Sequence, residues 1–275
     1  MDAPTPPLYI DRPEDVAVAA RALAGGAIVA AAFANFYVIV TRPDAATVRR
    51  VNLAKGRPVH QVGSITTAIG RIPGMFDWTR ISPRLPVGRV RALMDALYGA
   101  GPFGFRGPAA ERLPDHLTQI DQGMRTTQVI APGLTCASNA FFERALAETG
   151  TDHLYITSAN RSRHLTGATE EPAHWKAGAL AADFAHLDDL VVLVHRNEAA
   201  ARAAYPGYLT TSVTLLSFHA PEGDLEEPPV LTVDRHGSLH LDDVRRAAAP
   251  LGLQVRLAGG ARERLQVRGY AGALV

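Results

Sequence analysis

The sequence predicts an α/β fold. Three observations carry that expectation: apolar runs rich in branched residues alternate with segments of helical spacing, 47% of the 275 residues are hydrophobic, and no repeat of solenoid period is present. A chain this long and this apolar can bury a substantial core. One domain over residues 1–250 with a short C-terminal extension over 251–275 is the simplest organisation.

The elements follow in order. Asp15–Ala24 has helical spacing of alanine and branched residues, and Gly25-Gly26 stops it before a strand at Ala27–Ala32. Phe36–Val40 is the next strand. Asp44, after Pro43, suits the N-cap of a helix through AATVRRVNLAK that ends near Gly56, with Val48, Val51 and Leu53 toward the core. Residues 59–88 are too rich in Gly, Pro and Ser to assign. Arg89–Tyr98 reads as a helix with Val90, Leu93, Met94 and Leu97 on one side, and it runs into GAGPFGFRGP, a loop or irregular strand. A strand at Gln128–Ala131, a helix at Asn139–Thr149 and strands at His153–Thr157, Leu190–His195 and Thr211–Phe218 come next. EGDLEEPP is an acidic surface loop, and Val230–Val233 and Leu239–Ala249 give a last strand and helix. The runs LQVRL and ERLQVRGY beyond Leu251 add edge strands or cover the cavity.

Composition narrows the function classes. Lys and Arg total 28 against 27 acids, a formal charge of +1, so overall charge demands neither a nucleic acid nor a membrane partner. Any basic surface must be local. Cys136 is the single cysteine, which excludes an intrachain disulfide and a thiolate-built metal site. MDAPTPPLYI lacks the basic start and apolar core of a signal peptide, and the apolar run Ala27–Val40 is broken by Asn35 and too short to span a bilayer. A soluble cytoplasmic protein is expected.

Two stretches can carry chemistry. Lys55-Gly56-Arg57-Pro58 falls where glycine allows a left-handed helix cap and proline forbids continuation; its cations either complement the helix dipole or reach a polyphosphate, Arg as a fork and Lys as a point charge. YITSANRSR, residues 155–163, ends an apolar strand in small polar groups. Thr157, Ser158 and Asn160 stand at the carboxyl end of that strand, where open α/β sheets place ligands, and Arg161 and Arg163 add positive field; an ordinary turn explains Ser and Asn equally well.

Other features point away from function. His153, His164, His174, His186, His195 and His219 show no metal-ligand spacing, so no metal site is expected. Glu170, Glu171, Glu226 and Glu227 read as solvated loop charges. Gly25-Gly26 and Gly259-Gly260 lack the residues of a phosphate-binding glycine loop. Cys136, in LTCASN with no nearby helix start, reads as a small buried hydrophobe.

Taken in order, the GGAIVA strand, the aromatic second strand, KGRP at a helix end, a Gly-Pro loop, TSANRS and the late Arg235-His236-Gly237 resemble the YrdC-like family, known for threonylcarbamoyl-AMP synthases of tRNA modification. The resemblance spans roughly residues 12–250. It implies a twisted mixed open sheet, with parallel and antiparallel pairs and flanking helices, around a concave basic cavity. It also implies ATP, carried as its Mg complex, with Lys55, Arg57, Ser158 and Asn160 as catalytic residues around the phosphates, Thr166 and Arg235 beside the nucleotide, and Thr210-Thr211 on the cavity wall.

Departures from the family pattern are as informative. Ala31-Ala32-Phe33 stands where synthases carry Pro-Thr-Glu, and Ile130, two residues before Pro132, replaces an arginine. Thr66 falls near an expected histidine, the Pro-Gly-Pro loop becomes Ala100-Gly101-Pro102, and Arg163 replaces a glycine. The cationic set survives while the set that would clamp a zwitterion is lost, and an ammonium or carboxylate buried without partners costs several kcal/mol. The second-substrate pocket is therefore expected at Phe33, Ile130, Ile156, Thr210 and Thr211. The leading expectation is an ATP-dependent, adenylate-forming enzyme making a carbamoyl- or acyl-AMP from a small molecule other than L-threonine. Two alternatives stand beside it: a threonylcarbamoyl-AMP synthase, and a non-catalytic protein that binds double-stranded RNA or tRNA. RNA is allowed as a partner and not required; a membrane is not expected.

Overall fold

The fold's first long hairpin follows from two apolar runs joined by two residues. In the computed structural model, which describes residues 7–167, 171–222, 228–261 and 264–270, strands β2 (Ile28–Phe33) and β3 (Phe36–Thr41) are buried along their whole lengths and pair antiparallel, Phe33 opposite Phe36. The link places Ala34 at φ 52°, a backbone region that alanine enters at a cost of about 1–2 kcal/mol. Asn35 holds the turn in place by donating from Nδ2 to Tyr208 O at 3.1 Å.

The remaining strands extend this hairpin to both sides. They are β1 (Leu8–Tyr9), β4 (Ser64–Thr66), β5 (Phe103–Pro108), β6 (Gln119–Asp121), β7 (Met124–Ala131), β8 (Leu154–Ser158), β9 (Leu190–Val194), β10 (Leu215–Glu222), β11 (Val230–Arg235) and β12 (Gln254–Leu257). Among the described residues they form one sheet in the order β1-β9-β2-β3-β8-β4-β7-β5-β10-β11-β12, with β6 beside β7. Pairs such as β9–β2 and β4–β7 are parallel, while β3–β8, β8–β4 and β7–β5 are antiparallel. The sheet is open and mixed, as the family resemblance implies.

Helices α1 (Pro13–Ala24), α2 (Ala45–Lys55), α3 (Val87–Ala100), α4 (Ser138–Thr149), α5 (Arg163–Thr166), α6 (Ala177–Asp183), α7 (Glu198–Ala203) and α8 (Leu241–Ala248) flank it. Helix α1 packs on α4, and α3 on α8. Val48 and Val51 on α2 bury fully, worth about 1.5–3 kcal/mol each. Among the described residues no helix is long and apolar enough to cross a membrane.

Several expected elements shift. Leu53 is 62% exposed, because α2 turns Asn52 and Lys55 inward instead. Residues 103–108 form a regular strand paired with β7, and the unassigned stretch 59–88 supplies β4 and short 3-10 turns. The strand expected from Thr211 begins only at Leu215; just before it the Thr214 hydroxyl donates to Leu239 O at 2.7 Å and accepts from Leu239 N at 3.0 Å. Cys136 is buried as expected, yet α4 begins two residues later and the Ser138 hydroxyl lies 3.2 Å from its sulfur. Beyond residue 250, β12 extends the sheet edge, and 264–270 pack back, with Leu265 N donating to His236 O and Arg268 Nε to Pro172 O. Glu170, Glu226 and Glu227 lie outside the described residues.

Candidate functional site

Three chain segments build the site. The first is the end of α2. Asp44 caps its start, accepting from Thr47 N at 2.9 Å, and Gly56 ends it at φ 68°, with Arg57 N donating to Asn52 O at 2.8 Å. A Cβ on Gly56 would stand 2.7 Å from Leu165 Cβ, so glycine is required twice over, for its backbone conformation and for space. Asn52, fully buried, donates from Nδ2 to Val59 O at 3.1 Å and Gln61 O at 2.8 Å. That curls the loop over the helix end and fixes where Arg57 and Gln61 emerge.

The second segment leaves β8 at Ser158. Ser162 N donates to Lys55 O at 2.7 Å, which ties the loop to the α2 terminus, and the Ser162 hydroxyl accepts from His164 N. Lys55 is wholly buried beneath this loop. Its amine donates to Ser158 O and lies 3.5 Å from Asn160 Oδ1. Burial first, and then the neighbouring Arg57 and Arg268 guanidiniums, pull its pKa well below the ordinary lysine range.

Residues 212–213 and 235–238 form the third. Ser238 N donates to Ser212 O at 3.0 Å, and a Cβ on Gly237 would fall 2.1 Å from that same oxygen. Arg235 donates from Nε to Val213 O at 2.8 Å, which aims its guanidinium.

Between these segments lie two adjoining cavities. The inner one, about 370 Å³, has as its floor one face of four neighbouring strands: Phe36 and Val38 of β3, Ile156 and Ser158 of β8, Ser64 of β4, and Gln128 and Ile130 of β7. The outer one, about 710 Å³, is bordered by His60, Asn160, Ser162, Arg163 and His164. Arg57, Gln61, Ser158, Ser212 and Arg235 line both. Two acids reach the outer cavity, each beside an arginine: Glu171 is 2.9 Å from Arg268, and Asp234 is 2.7 Å from Arg106.

The expected residues divide accordingly. Arg57, Ser158, Asn160 and Arg235 meet at the cavities, and Ile130 and Ile156 line the inner one. Lys55 reaches the same loop from behind and lines neither. Phe33 packs 5.3 Å from Phe36 and 6.0 Å from Phe142, centroid to centroid, inside the core, and Thr211 is fully buried with its hydroxyl donating to Ser212 O. Thr210 borders a separate cavity of about 350 Å³ with Asn35 and Tyr208. In the irregular stretch before Leu215, Ser212 and Val213 are the residues that reach the inner cavity. Thr166 is exposed on α5 and outside both linings.

Sequence reasoning missed Gln61, Ser64, Gln119, Gln128, Ser212 and the buried Asn52. A signal existed for two of them: Gln128 precedes Ile130 by two positions on a strand and so shares its face, and Asn52 stands one helical turn before Lys55. Gln128 accepts from the Ser64 hydroxyl at 3.1 Å, which turns its amide nitrogen away from that contact. Among the described residues no group of three His, Cys, Asp or Glu side chains could hold a metal ion.

No family model matches the chain, and no curated protein matches it. Solved structures do. Sua5 of P. abyssi complexed with L-threonine superposes with TM-score 0.59 at 18% identity, over 89% of this chain and 60% of that one. A hypothetical protein from Streptococcus mutans gives 0.61 at 14%, over 87% and 94%. Full-length HypF in a phosphate- and nucleotide-bound form gives 0.53 at 16%, over 80% of this chain and 28% of that one. At such identities the likeness is one of fold, and the chain spans less than two thirds of the Sua5 chain.

Proposed function

We propose that this protein is an ATP-using, adenylate-forming enzyme that joins a carboxylate or carbamate other than L-threonine to AMP and releases pyrophosphate. The observation that carries the reading is the shared wall: Arg57, Ser158 and Arg235, from three distant segments, border both cavities. A nucleotide with its phosphates in the outer cavity would present its α-phosphate at this junction to a second substrate in the inner one. A carboxylate oxygen attacks the α-phosphorus, the bond from that phosphorus to the bridging oxygen breaks, and pyrophosphate leaves with the electron pair. Arg57 and Arg235 offset the developing charge and Ser158 and Asn160 orient the phosphates, so catalysis is electrostatic and positional. Lys55 is assigned a positioning part, holding the Ser158–Asn160 loop. Mg would travel on the nucleotide's own phosphates. Sua5 crystallised with L-threonine and HypF crystallised with phosphate and nucleotide support small-molecule and nucleotide binding on this fold.

The test is calorimetric titration with ATP, followed by pyrophosphate release. Saturable ATP binding that weakens in Arg57→Ala is expected. Absence of binding, or binding indifferent to that change, overturns the proposal. Pyrophosphate release that depends on L-threonine and bicarbonate would instead favour threonylcarbamoyl-AMP synthesis, and salt-sensitive RNA binding without turnover would favour the RNA-binding alternative.

A further inference from the structure

The inner cavity carries an unusual ionisation pattern. Among the described residues, its lining includes no Asp, Glu, His, Lys, Tyr or Cys, and its ionisable groups are Arg57 and Arg235. Both stay protonated at any physiological pH. The other polar groups are neutral amides and hydroxyls, of which Gln128 is oriented by the Ser64 hydroxyl at 3.1 Å. The nearby Glu171 and Asp234 border the outer cavity, each beside an arginine.

From this we infer that the inner cavity selects a carboxylate-bearing molecule with a short uncharged chain and no ammonium group. The inference rests on the proposed function for the chemistry that follows binding, though the selectivity itself does not need ATP. An ammonium entering this space would find no carboxylate of the lining to pair with and no base to take its proton, while two guanidiniums repel it. A carboxylate meets the opposite field, and amide N–H groups can complete its hydrogen bonds. It is also already deprotonated, so its attack on phosphorus needs no general base, in keeping with a lining that offers none.

Three probes of similar size separate the contributions: 3-hydroxybutyrate carries only the carboxylate, L-threonine adds the ammonium, and 1-amino-2-propanol keeps the ammonium alone. Calorimetric titration of the full chain, with and without ATP, is expected to show 3-hydroxybutyrate binding at least tenfold more tightly than L-threonine, and L-threonine more tightly than the amine. Gln128→Glu places a carboxylate in the lining and should shrink the first ratio at least tenfold; should that variant not fold, Gln119→Glu, at a half-buried position of the same cavity, gives the same reading. Equal or tighter binding of L-threonine overturns the inference, as does failure of all three probes to bind. If the order holds but ATP does not bind, the proposed function falls and this selectivity stands; if ATP binds and the order fails, the reverse is true.

Discussion

The amine of Lys55 lies 3.5 Å from Oδ1 of Asn160, a residue 105 positions further along the chain, and donates to Ser158 O in the same loop. The lysine is fully buried, so it acts on the site through that loop. Lys55→Met keeps the volume and removes the donor; Ser158 O keeps its bond from Asn160 N at 3.1 Å and Asn160 Oδ1 keeps the Ser158 hydroxyl, so the loss is that of the lysine's own hydrogen bonds, about 0.5–1.5 kcal/mol each. The expected result is a urea midpoint lowered accordingly and ATP affinity reduced at least tenfold. Lys55→Arg should not restore it, because no space surrounds the amine. Wild-type ATP affinity in Lys55→Met would remove the lysine from the site.

Arg57 and Arg235 behave differently, being half-buried at the rim of both cavities. A hydrogen bond from a charged group is worth about 1.5–3 kcal/mol, so Ala at either position should weaken ATP binding roughly tenfold to a hundredfold. Thermal midpoints should move far less than in Lys55→Met. Arg57→Lys should recover only part of the loss, since an ammonium cannot fork onto two phosphate oxygens.

Gly56 offers a backbone test. Its left-handed conformation and the 2.7 Å approach of Leu165 Cβ act together. Gly56→Ala should destabilise by about 1–3 kcal/mol and displace α5 with the Ser158–Asn160 loop. Gly88, in the first turn of α3 with open space where a methyl group would go, is the control: alanine there should stabilise by about 0.4–1 kcal/mol. Equal effects at both positions, read by urea unfolding, would refute the strained-cap account.

How much of this was legible in the sequence depended on the range of the signal. Local signals read well: the Asp44 cap, the Gly56 stop and the buried face of α3 follow from a few adjacent residues. Neighbouring strands were harder, because nothing local says that β4, a three-residue strand in a Gly/Pro-rich stretch, lies between β8 and β7. The cationic and small polar residues of KGRP and TSANRS pointed to the same place. Phe33, Thr210 and Thr211 did not, since which face of a hairpin or irregular segment looks inward is set by partners far away: Phe142 for the first, Leu239 for the segment of the other two. Gln61 and Ser212 have no sequence signature, and only tertiary contacts bring them to the cavities.

Acid stability gives the last prediction. Burial holds the imidazoles of His174, His195 and His219 below the ordinary value of about 6.5. His174 shows how the fold enforces this. The Tyr270 hydroxyl accepts from Trp175 N at 3.0 Å and Lys176 N at 3.3 Å, so its own proton goes to Nδ1 of His174, 3.1 Å away, and Nε2 donates to Asp183. A proton on Nδ1 would face a hydroxyl whose lone pairs are already taken. Asp183 opposes the depression, as a carboxylate 2.7 Å from Nε2 must, but burial outweighs it. Because the unfolded chain binds protons more readily than the folded one, this stability is fully present above about pH 6.5 and is lost as the pH falls below it. Urea unfolding at about pH 7.5 and about pH 5.5 should show the drop before carboxylates, titrating near pH 4, contribute. His174→Gln should lower stability at the higher pH and flatten the slope, whereas Asp183→Asn should steepen it. A profile level across this window in the wild type would show that these imidazoles are not held neutral by the fold.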